Sequence, residues 1–133
     1  MRWRVALANK HPDALLVPIA TAIRQFPEEI ATYDEYVASP LWVSIREKVL
    51  AAAGTKCTCC PRPATEVHHR DYRPRVLRGD DLAPLVALCR DCHHMVDKLP
   101  NGRSREVWTE TEAILAEMVR REDARLAATE VLL

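Results

Sequence analysis

The chain has 133 residues, 48% of them hydrophobic and 29% charged, which is typical of one folded domain and argues against a disordered chain. Nineteen basic residues balance nineteen acidic ones, so any basic surface for a polyanionic partner must be local. No apolar run approaches the roughly 18 residues of a membrane span, and the broken apolar stretches near Met1 do not resemble a signal peptide. We therefore expect a cytoplasmic protein without a membrane partner, forming a single domain over residues 1–133.

Residues 1–54 are predicted to be a mostly helical N-terminal segment. A first helix is expected over residues 13–26, where Pro18 would kink it or delay its start. Thr32 precedes a short helical turn in YDEYVA.

A longer helix should follow, because Ser39 can cap it, Pro40 suits its first position and Gly54 suits the residue after its end. Its apolar stripe has the i, i+3, i+7 spacing of a helix that packs on a core. The stripe consists of Trp42, Ile45 and Val49.

The middle segment, residues 55–99, holds every cysteine and four of the five histidines. Short apolar pieces at residues 66–68 and 85–88 are predicted to be strands, and the polar stretch between them a loop or hairpin connection. The residues after Cys89 are predicted to form a helix.

A Pro-Asn-Gly turn precedes the C-terminal segment, residues 103–130, in which a long helix is predicted over 105–129. Its predicted apolar face comprises Trp108, Leu115, Met118 and Val119. Its predicted solvated residues are Glu112, Glu117, Arg120, Arg121 and Glu122.

Two CxxC pairs lie in the middle segment, Cys57 with Cys60 and Cys89 with Cys92. Each pair brings two thiolates close enough to share one ion, and two pairs complete a tetrahedral zinc site with four thiolate ligands. Such a site has no open position, so the predicted zinc is structural and supports a segment that has little core of its own. Cys59 lies outside this spacing and is predicted to be a bystander.

The histidines indicate a second kind of site. His68 and His69 are neighbours on a predicted strand and should point to opposite faces, whereas His93 and Asp97 share one helix face. A set of His68, His93 and Asp97 has mixed donors and open positions, as catalytic metals do. Taken singly, each residue is more often an ordinary core or surface residue, and His94 is assigned to the surface.

The run CTCCPRPATEVHHRDY, followed by DLAPLVALCRDCHHMVD, resembles the HNH endonucleases, in particular small phage and bacterial members with CxxC, VHHxxY and DLxxLxxLCxxCH. With the preceding YDEYVASPLWVSIREKVLAAAG, the resemblance covers about residues 33–97. It implies an α+β fold with a ββα-metal (HNH) core over residues 55–99, a structural zinc held by four cysteines, and flanking N-terminal and C-terminal helices. It also implies a bacterial or phage-infected host.

The resemblance assigns metal ligation to His68 and His93, and the general base to His69. Asp97 stands where the family often has His or Asn, and it favours a hard catalytic ion such as Mg²⁺ or Mn²⁺, with Zn²⁺ or Ni²⁺ as further options. The family's central Asn is absent, because Pro84 occupies its position. The nearby aspartates Asp80 and Asp81 are the candidates for orienting the general base.

The resulting hypothesis is a metal-dependent endonuclease that hydrolyses phosphodiester bonds, with DNA the favoured substrate. The resemblance implies products with 5′-phosphate and 3′-hydroxyl ends. Nucleic-acid backbone contacts are assigned to four arginines, Arg70, Arg73, Arg75 and Arg78. A homodimer would suit double-strand cutting and a monomer would suit nicking. Two alternatives stay open: an inactive zinc-dependent nucleic-acid- or protein-binding module on the same fold, and a zinc-ribbon adaptor that needs only the cysteines.

Overall fold

The computed structural model describes residues 32–132, and the helix predicted over residues 13–26 lies outside them. Within that range the fold is α+β, as predicted. The helices and strands, in chain order, are α1 Tyr33–Val37, α2 Pro40–Ala52, β1 Glu66–His69, α3 Pro74–Leu77, β2 Leu85–Leu88, α4 Arg90–Asp97 and α5 Glu110–Leu132.

Helices α1 and α2 begin after capping side chains, the second of which, Ser39, was predicted as a cap. The Thr32 hydroxyl accepts a hydrogen bond from the Glu35 amide at 3.1 Å, and the Ser39 hydroxyl accepts one from the Trp42 amide at 3.2 Å. Helix α2 ends before Gly54, whose φ of 64° is the left-handed conformation that glycine adopts without strain. The predicted stripe of α2 is buried, which confirms the amphipathic helix.

Strands β1 and β2 form an antiparallel pair in which Glu66 faces Leu88 and His69 faces Leu85. The segment that connects the two strands, residues 70–84, contains the short helix α3 and then a turn at Gly79. Gly79 has a φ of 84°, and a Cβ there would lie 2.9 Å from Cγ1 of Ile45, so the turn packs directly on α2.

The core has two clusters of buried side chains. One joins α1, α2 and α3 to the sheet, and includes Tyr36, Trp42 and Leu77. The other joins β2 and α4 to α5, and includes Leu88, Val96 and Leu115 with three of the cysteines. The sheet therefore lies between the N-terminal helices and the pair α4 and α5.

Helix α5 begins later than predicted, at Glu110, and residues 103–109 are not part of it. The backbone of Trp108 has a φ of 77°, and its amide donates to the Thr111 hydroxyl at 3.1 Å. This left-handed turn stops a helix from running through residues 105–109. Trp108 instead packs edge-on against Tyr72, with ring centroids 5.4 Å apart.

Two glutamates of α5 that were predicted to be solvated are buried, Glu112 at 6% exposure and Glu122 at 3%. Each accepts hydrogen bonds from cationic side chains, Glu112 from Arg70 and Glu122 from Lys56 and Arg125. The prediction was wrong because helix periodicity cannot show which cations a docked helix will meet. None of the helices within residues 32–132 is both long and apolar enough to cross a membrane.

Candidate metal centres

The four cysteines predicted to bind zinc lie together. Their sulfur atoms all lie within 4.8 Å of one another; the residues are Cys57, Cys60, Cys89 and Cys92. The Sγ atoms of Cys60 and Cys89 are 3.6 Å apart. Zn–S bonds of about 2.3 Å in a tetrahedron place sulfurs roughly 3.8 Å apart, so this spacing fits a single zinc ion.

Backbone amides complete each cysteine turn. The amide of Cys59 donates to Sγ of Cys57 and that of Cys92 to Sγ of Cys89, both at 3.4 Å. Such hydrogen bonds stabilise thiolates. Burial nevertheless raises the pKa of Cys92, so a cation is needed to hold all four sulfurs deprotonated. The cluster fits a structural metal ion such as zinc.

Cys59 lies outside this group of four sulfurs, as predicted. It is half-buried and packs on the core cluster of β2, α4 and α5. Burial raises the pKa of the Cys59 thiol to about 12, as it also raises that of Cys92, so it is the position of the Cys59 sulfur that separates it from the four candidate ligands.

A lysine beside the first cysteine pair attaches this region to α5. The Lys56 ammonium donates to the carbonyl oxygens of Cys57 and Cys60 at 2.8 and 3.1 Å, and to Glu122 at 2.8 Å. The C-terminal helix is thereby connected to the cysteine cluster through one side chain.

The second predicted metal set also comes together. Donor atoms of His68, His93 and Asp97 all lie within 4.8 Å of one another. The carboxylate of Asp97 is 3.6 Å from Nδ1 of His68 and 3.3 Å from Nε2 of His93. Ligands held at about 2.1 Å from one ion are roughly 3.0–3.4 Å apart, so a small contraction would suit a divalent cation.

Glu66 belongs to this site and was missed from the sequence. Its Oε1 lies 2.8 Å from Nδ1 of His93, which accounts for one ring nitrogen and leaves Nε2 directed toward Asp97. A carboxylate in this place fixes the tautomer of a ligating histidine. A signal was available, because Glu66 and His68 are two residues apart on β1 and so share a face.

The site opens to solvent through a cleft of about 520 Å³. His93 and Asp97 lie on its lining and are 22% and 45% exposed, whereas His68 is buried beneath them. Burial lowers the pKa of His68 to about 3, which keeps its ring neutral and able to bind a metal. Nε2 of His68 is buried and has no hydrogen-bond partner among residues 32–132.

His69 points to the other face of β1, as predicted for strand neighbours. Its ring is stacked between Trp42 and Tyr72, at centroid distances of 4.6 and 5.2 Å. Nδ1 lies 3.4 Å from the Tyr33 hydroxyl, and Nε2 is buried without a hydrogen-bond partner in the described range. Burial lowers the pKa of His69 to about 3. The imidazole is neutral but enclosed by aromatic rings.

Neither aspartate proposed to orient His69 contacts it. Asp80 pairs with Arg78, and Asp81 pairs with Arg75 and accepts from the Ala83 amide. These carboxylates stabilise the 75–83 turn on the surface. The Tyr33 hydroxyl lies beside His69, and although Tyr33 is within the run that resembles the HNH endonucleases, the sequence analysis gave it no role.

The four arginines assigned to nucleic acid all have carboxylate partners. Arg70 is buried and makes two hydrogen bonds of 2.9 Å to Glu112 on α5. The remaining pairs are Arg73 with Asp71, Arg75 with Asp81 and Arg78 with Asp80. Arg70 therefore links the end of β1 to α5, and the contact of these arginines with nucleic acid stays a prediction.

The described residues thus contain two groups that could hold a metal ion, one of four cysteines and one of two histidines and an aspartate. Comparisons with protein-family models, with curated proteins and with solved structures give no match for this chain.

Proposed function

We propose that the chain is a metal-dependent endonuclease of the HNH type, which hydrolyses phosphodiester bonds of nucleic acid, with DNA the favoured substrate. One observation carries the proposal: the donor atoms of His68, His93 and Asp97 converge at a cleft that is open to solvent. Three protein ligands leave coordination positions for water and substrate, which is the arrangement of catalytic metal sites.

The nearby cysteine cluster strengthens the proposal by supplying rigidity. Its ligands Cys89 and Cys92 flank the start of α4, and the same helix carries His93 and Asp97. A structural zinc there would fix the helix on the sheet and so hold the open site in shape. A module that used only the cysteines would have no need for His68 and His93 to converge on a carboxylate.

Three side chains would hold the divalent ion, namely His68, His93 and Asp97. Glu66 would orient His93. The ion would supply electrostatic stabilisation of the charge that develops on the phosphate. His69 would accept a proton from the attacking water, since its ring is neutral and Nε2 has no partner within residues 32–132. In the structure His69 lies on the opposite face of β1 from His68, packed between Trp42 and Tyr72. This role therefore requires a rearrangement that frees His69 from these rings and brings its Nε2 to the side of the strand that carries the ion.

A second candidate function is an inactive binding module on the same fold. The observation that favours it is the enclosure of His69 between Trp42 and Tyr72. A histidine with a pKa of about 3 is a weak base, because proton acceptors work best when their pKa lies near the working pH. In this alternative His69 is a packing residue and the cleft binds without cleaving.

Plasmid cleavage in Mg²⁺ or Mn²⁺ separates the two functions. Wild type, His69→Ala and His68→Ala are purified in the same way and are shown to be folded and to contain equal zinc. We expect cleavage by wild type only, with 5′-phosphate ends on the products. Loss in His68→Ala should be accompanied by weaker Mn²⁺ binding, whereas His69→Ala should retain Mn²⁺ binding.

The other outcomes are informative too. Equal cleavage by all three proteins would indicate a contaminating nuclease and would remove the support for these assignments. Cleavage that is lost in His68→Ala but retained in His69→Ala would keep the metal site and reject His69 as the base. If wild type cuts no DNA or RNA with several metals, the inactive binding module is the better description.

A further inference from the structure

Two cationic side chains line the open cleft beside His93 and Asp97. They are Arg90, the first residue of α4, and Lys98, the residue that caps its end. A helix of eight residues is about 12 Å long, so the two cations lie at opposite ends of the helix that carries the candidate metal ligands. A chain of phosphates laid along α4 would meet a positive charge on each side of the metal site.

These cations differ from the four arginines of residues 70–78 in having no carboxylate partner. Arg90 is exposed and makes no ion pair with any residue in the described part of the chain. Lys98 donates to the uncharged Ser104 hydroxyl at 2.6 Å and makes no ion pair within residues 32–132. By contrast, the exposed Arg75 and Arg78 pair with Asp81 and Asp80.

The remaining charges of the cleft support an anionic ligand once a metal is bound. Asp91 pairs with Arg62, so these two charges cancel at the rim. The carboxylates of Glu66 and Asp97 point at His93 and offset Arg90 and Lys98 in the metal-free cleft. A divalent ion would leave the cleft with a net positive charge, which attracts phosphates.

We propose that Arg90 and Lys98 are the principal contacts of this chain with the phosphodiester backbone of nucleic acid. The inference rests on the proposed function for its ligand class and places the substrate along α4. The paired arginines 70, 73, 75 and 78 then have a mainly structural role. Contacts of this kind position the substrate and are blind to its sequence.

The test is the salt dependence of binding, measured by fluorescence anisotropy with a labelled duplex DNA and the matching duplex RNA. Zinc-loaded wild type, Arg90→Ala, Lys98→Ala and the double variant are titrated in Ca²⁺ at several salt concentrations. Each phosphate contact contributes about 0.9 to the slope of log affinity against log salt on duplex DNA. The slope is negative, and we expect each single variant to make it less steep by about 0.9 and the double variant by about twice that.

Matched variants control for folding and for charge. Lys48 of α2 is exposed and does not line the cleft, so Lys48→Ala should retain the wild-type slope. Arg90→Lys keeps the charge and should restore the slope that Arg90→Ala loses. Circular dichroism and zinc content should be the same for all variants.

Three results would overturn the inference. In the first, wild type binds neither duplex in the assay, and in the second, the double variant keeps the wild-type slope. In the third, the Arg75→Ala protein has a less steep slope than wild type, whereas the Arg90→Ala protein keeps the wild-type slope. The proposed function fails separately. If the variants alter the slope but wild type cleaves no nucleic acid, the phosphate contacts stand and the nuclease function is rejected. If wild type cleaves nucleic acid but the variants do not alter the slope, the nuclease function stands and the phosphate contacts of Arg90 and Lys98 are rejected.

Discussion

Helix α4 contributes to two adjoining clusters, the cysteine cluster of Cys57, Cys60, Cys89 and Cys92 and the histidine cluster of His68, His93 and Asp97. The two clusters differ in what surrounds their donor atoms. The cysteine cluster has four like ligands, backbone amides directed at two sulfurs, and a lysine that connects it to α5. The histidine cluster has two histidines and one aspartate as candidate ligands, one supporting carboxylate and an open cleft. The first arrangement suits an ion that holds the fold, and the second suits an ion that meets a ligand.

One short helix thus contributes residues to two clusters of different chemistry. Cys89 and Cys92 attach the start of α4, and His93 and Asp97 follow on its next turn. Rigid support from a zinc bound to the cysteine cluster would allow the histidine cluster to keep its shape around an open cleft.

The largest effect should follow Cys89→Ser. Structural zinc sites contribute about 10–16 kcal/mol of apparent binding free energy, which is comparable to the whole stability of a typical domain, about 5–15 kcal/mol. We expect loss of zinc and unfolding of residues 55–99, measured by metal analysis and circular dichroism. Cys59→Ser is the control and should retain both zinc and fold. A folded, zinc-free Cys89→Ser protein would contradict the structural role.

The buried pair between Arg70 and Glu112 should come next. Both side chains are about 6–7% exposed, so Glu112→Ala would leave an uncompensated charge in the interior. The expected loss in free energy of unfolding is about 3–5 kcal/mol, measured by chemical denaturation. Glu117→Ala removes a partly exposed partner of Arg120 and Arg121, and should cost much less than Glu112→Ala because solvent screens this pair. Equal losses would mean that α5 does not hold the histidine end of β1.

Glu66→Gln tests the histidine cluster without removing a ligand. Loss of a carboxylate that orients a ligating histidine typically weakens metal binding by about 10- to 100-fold. We expect that decrease in Mn²⁺ affinity, by calorimetry on zinc-loaded protein, with unchanged zinc content. Asp91→Asn, which alters another carboxylate of the same cleft, should bind Mn²⁺ like wild type. Unchanged affinity in Glu66→Gln would remove Glu66 from the site.

The sequence predicted which cysteine, histidine and aspartate side chains come together better than it predicted their surroundings. CxxC spacing, strand alternation at His68 and the four-residue step from His93 to Asp97 are local patterns, and each is retained in the folded chain. Glu66 followed the same alternation and could have been included.

The charge pairs could not be predicted in this way. Arg70 and Glu112 are 42 residues apart, and Lys56 and Glu122 are 66 apart, so their pairing depends on how α5 docks. Helix periodicity assigned both glutamates to solvent because it records the spacing of apolar residues and not the position of distant cations. The late start of α5 could not be predicted either, because it depends on the left-handed backbone of Trp108, a conformation that is unusual for a residue with a large side chain.

The smallest effect concerns pH and the contact between α5 and the cysteine cluster. Hydrogen bonds from Arg125 and Lys56 hold the pKa of Glu122 at about 2, below its ordinary value of 4.5. A carboxyl whose pKa is depressed by folding stabilises the protein above its unfolded-state pKa, and that contribution is lost as the pH falls toward the folded-state pKa. Glu122→Gln should therefore be less stable than wild type near neutral pH. The expected difference is about 1 kcal/mol, because Lys56 and Arg125 are themselves half exposed.

That difference should stay constant above about pH 5.5 and shrink as the pH falls below it, when wild type begins to gain protons in the unfolded state. Chemical denaturation of both proteins, over the acid range in which both keep their zinc, measures the difference at each pH. Thr129→Ala, a change in the last turns of the same helix, should leave the pH dependence as in wild type. A difference that grew on acidification would mean that Glu122 is protonated in the folded protein. The connection between α5 and the cysteine cluster would then not depend on its charge.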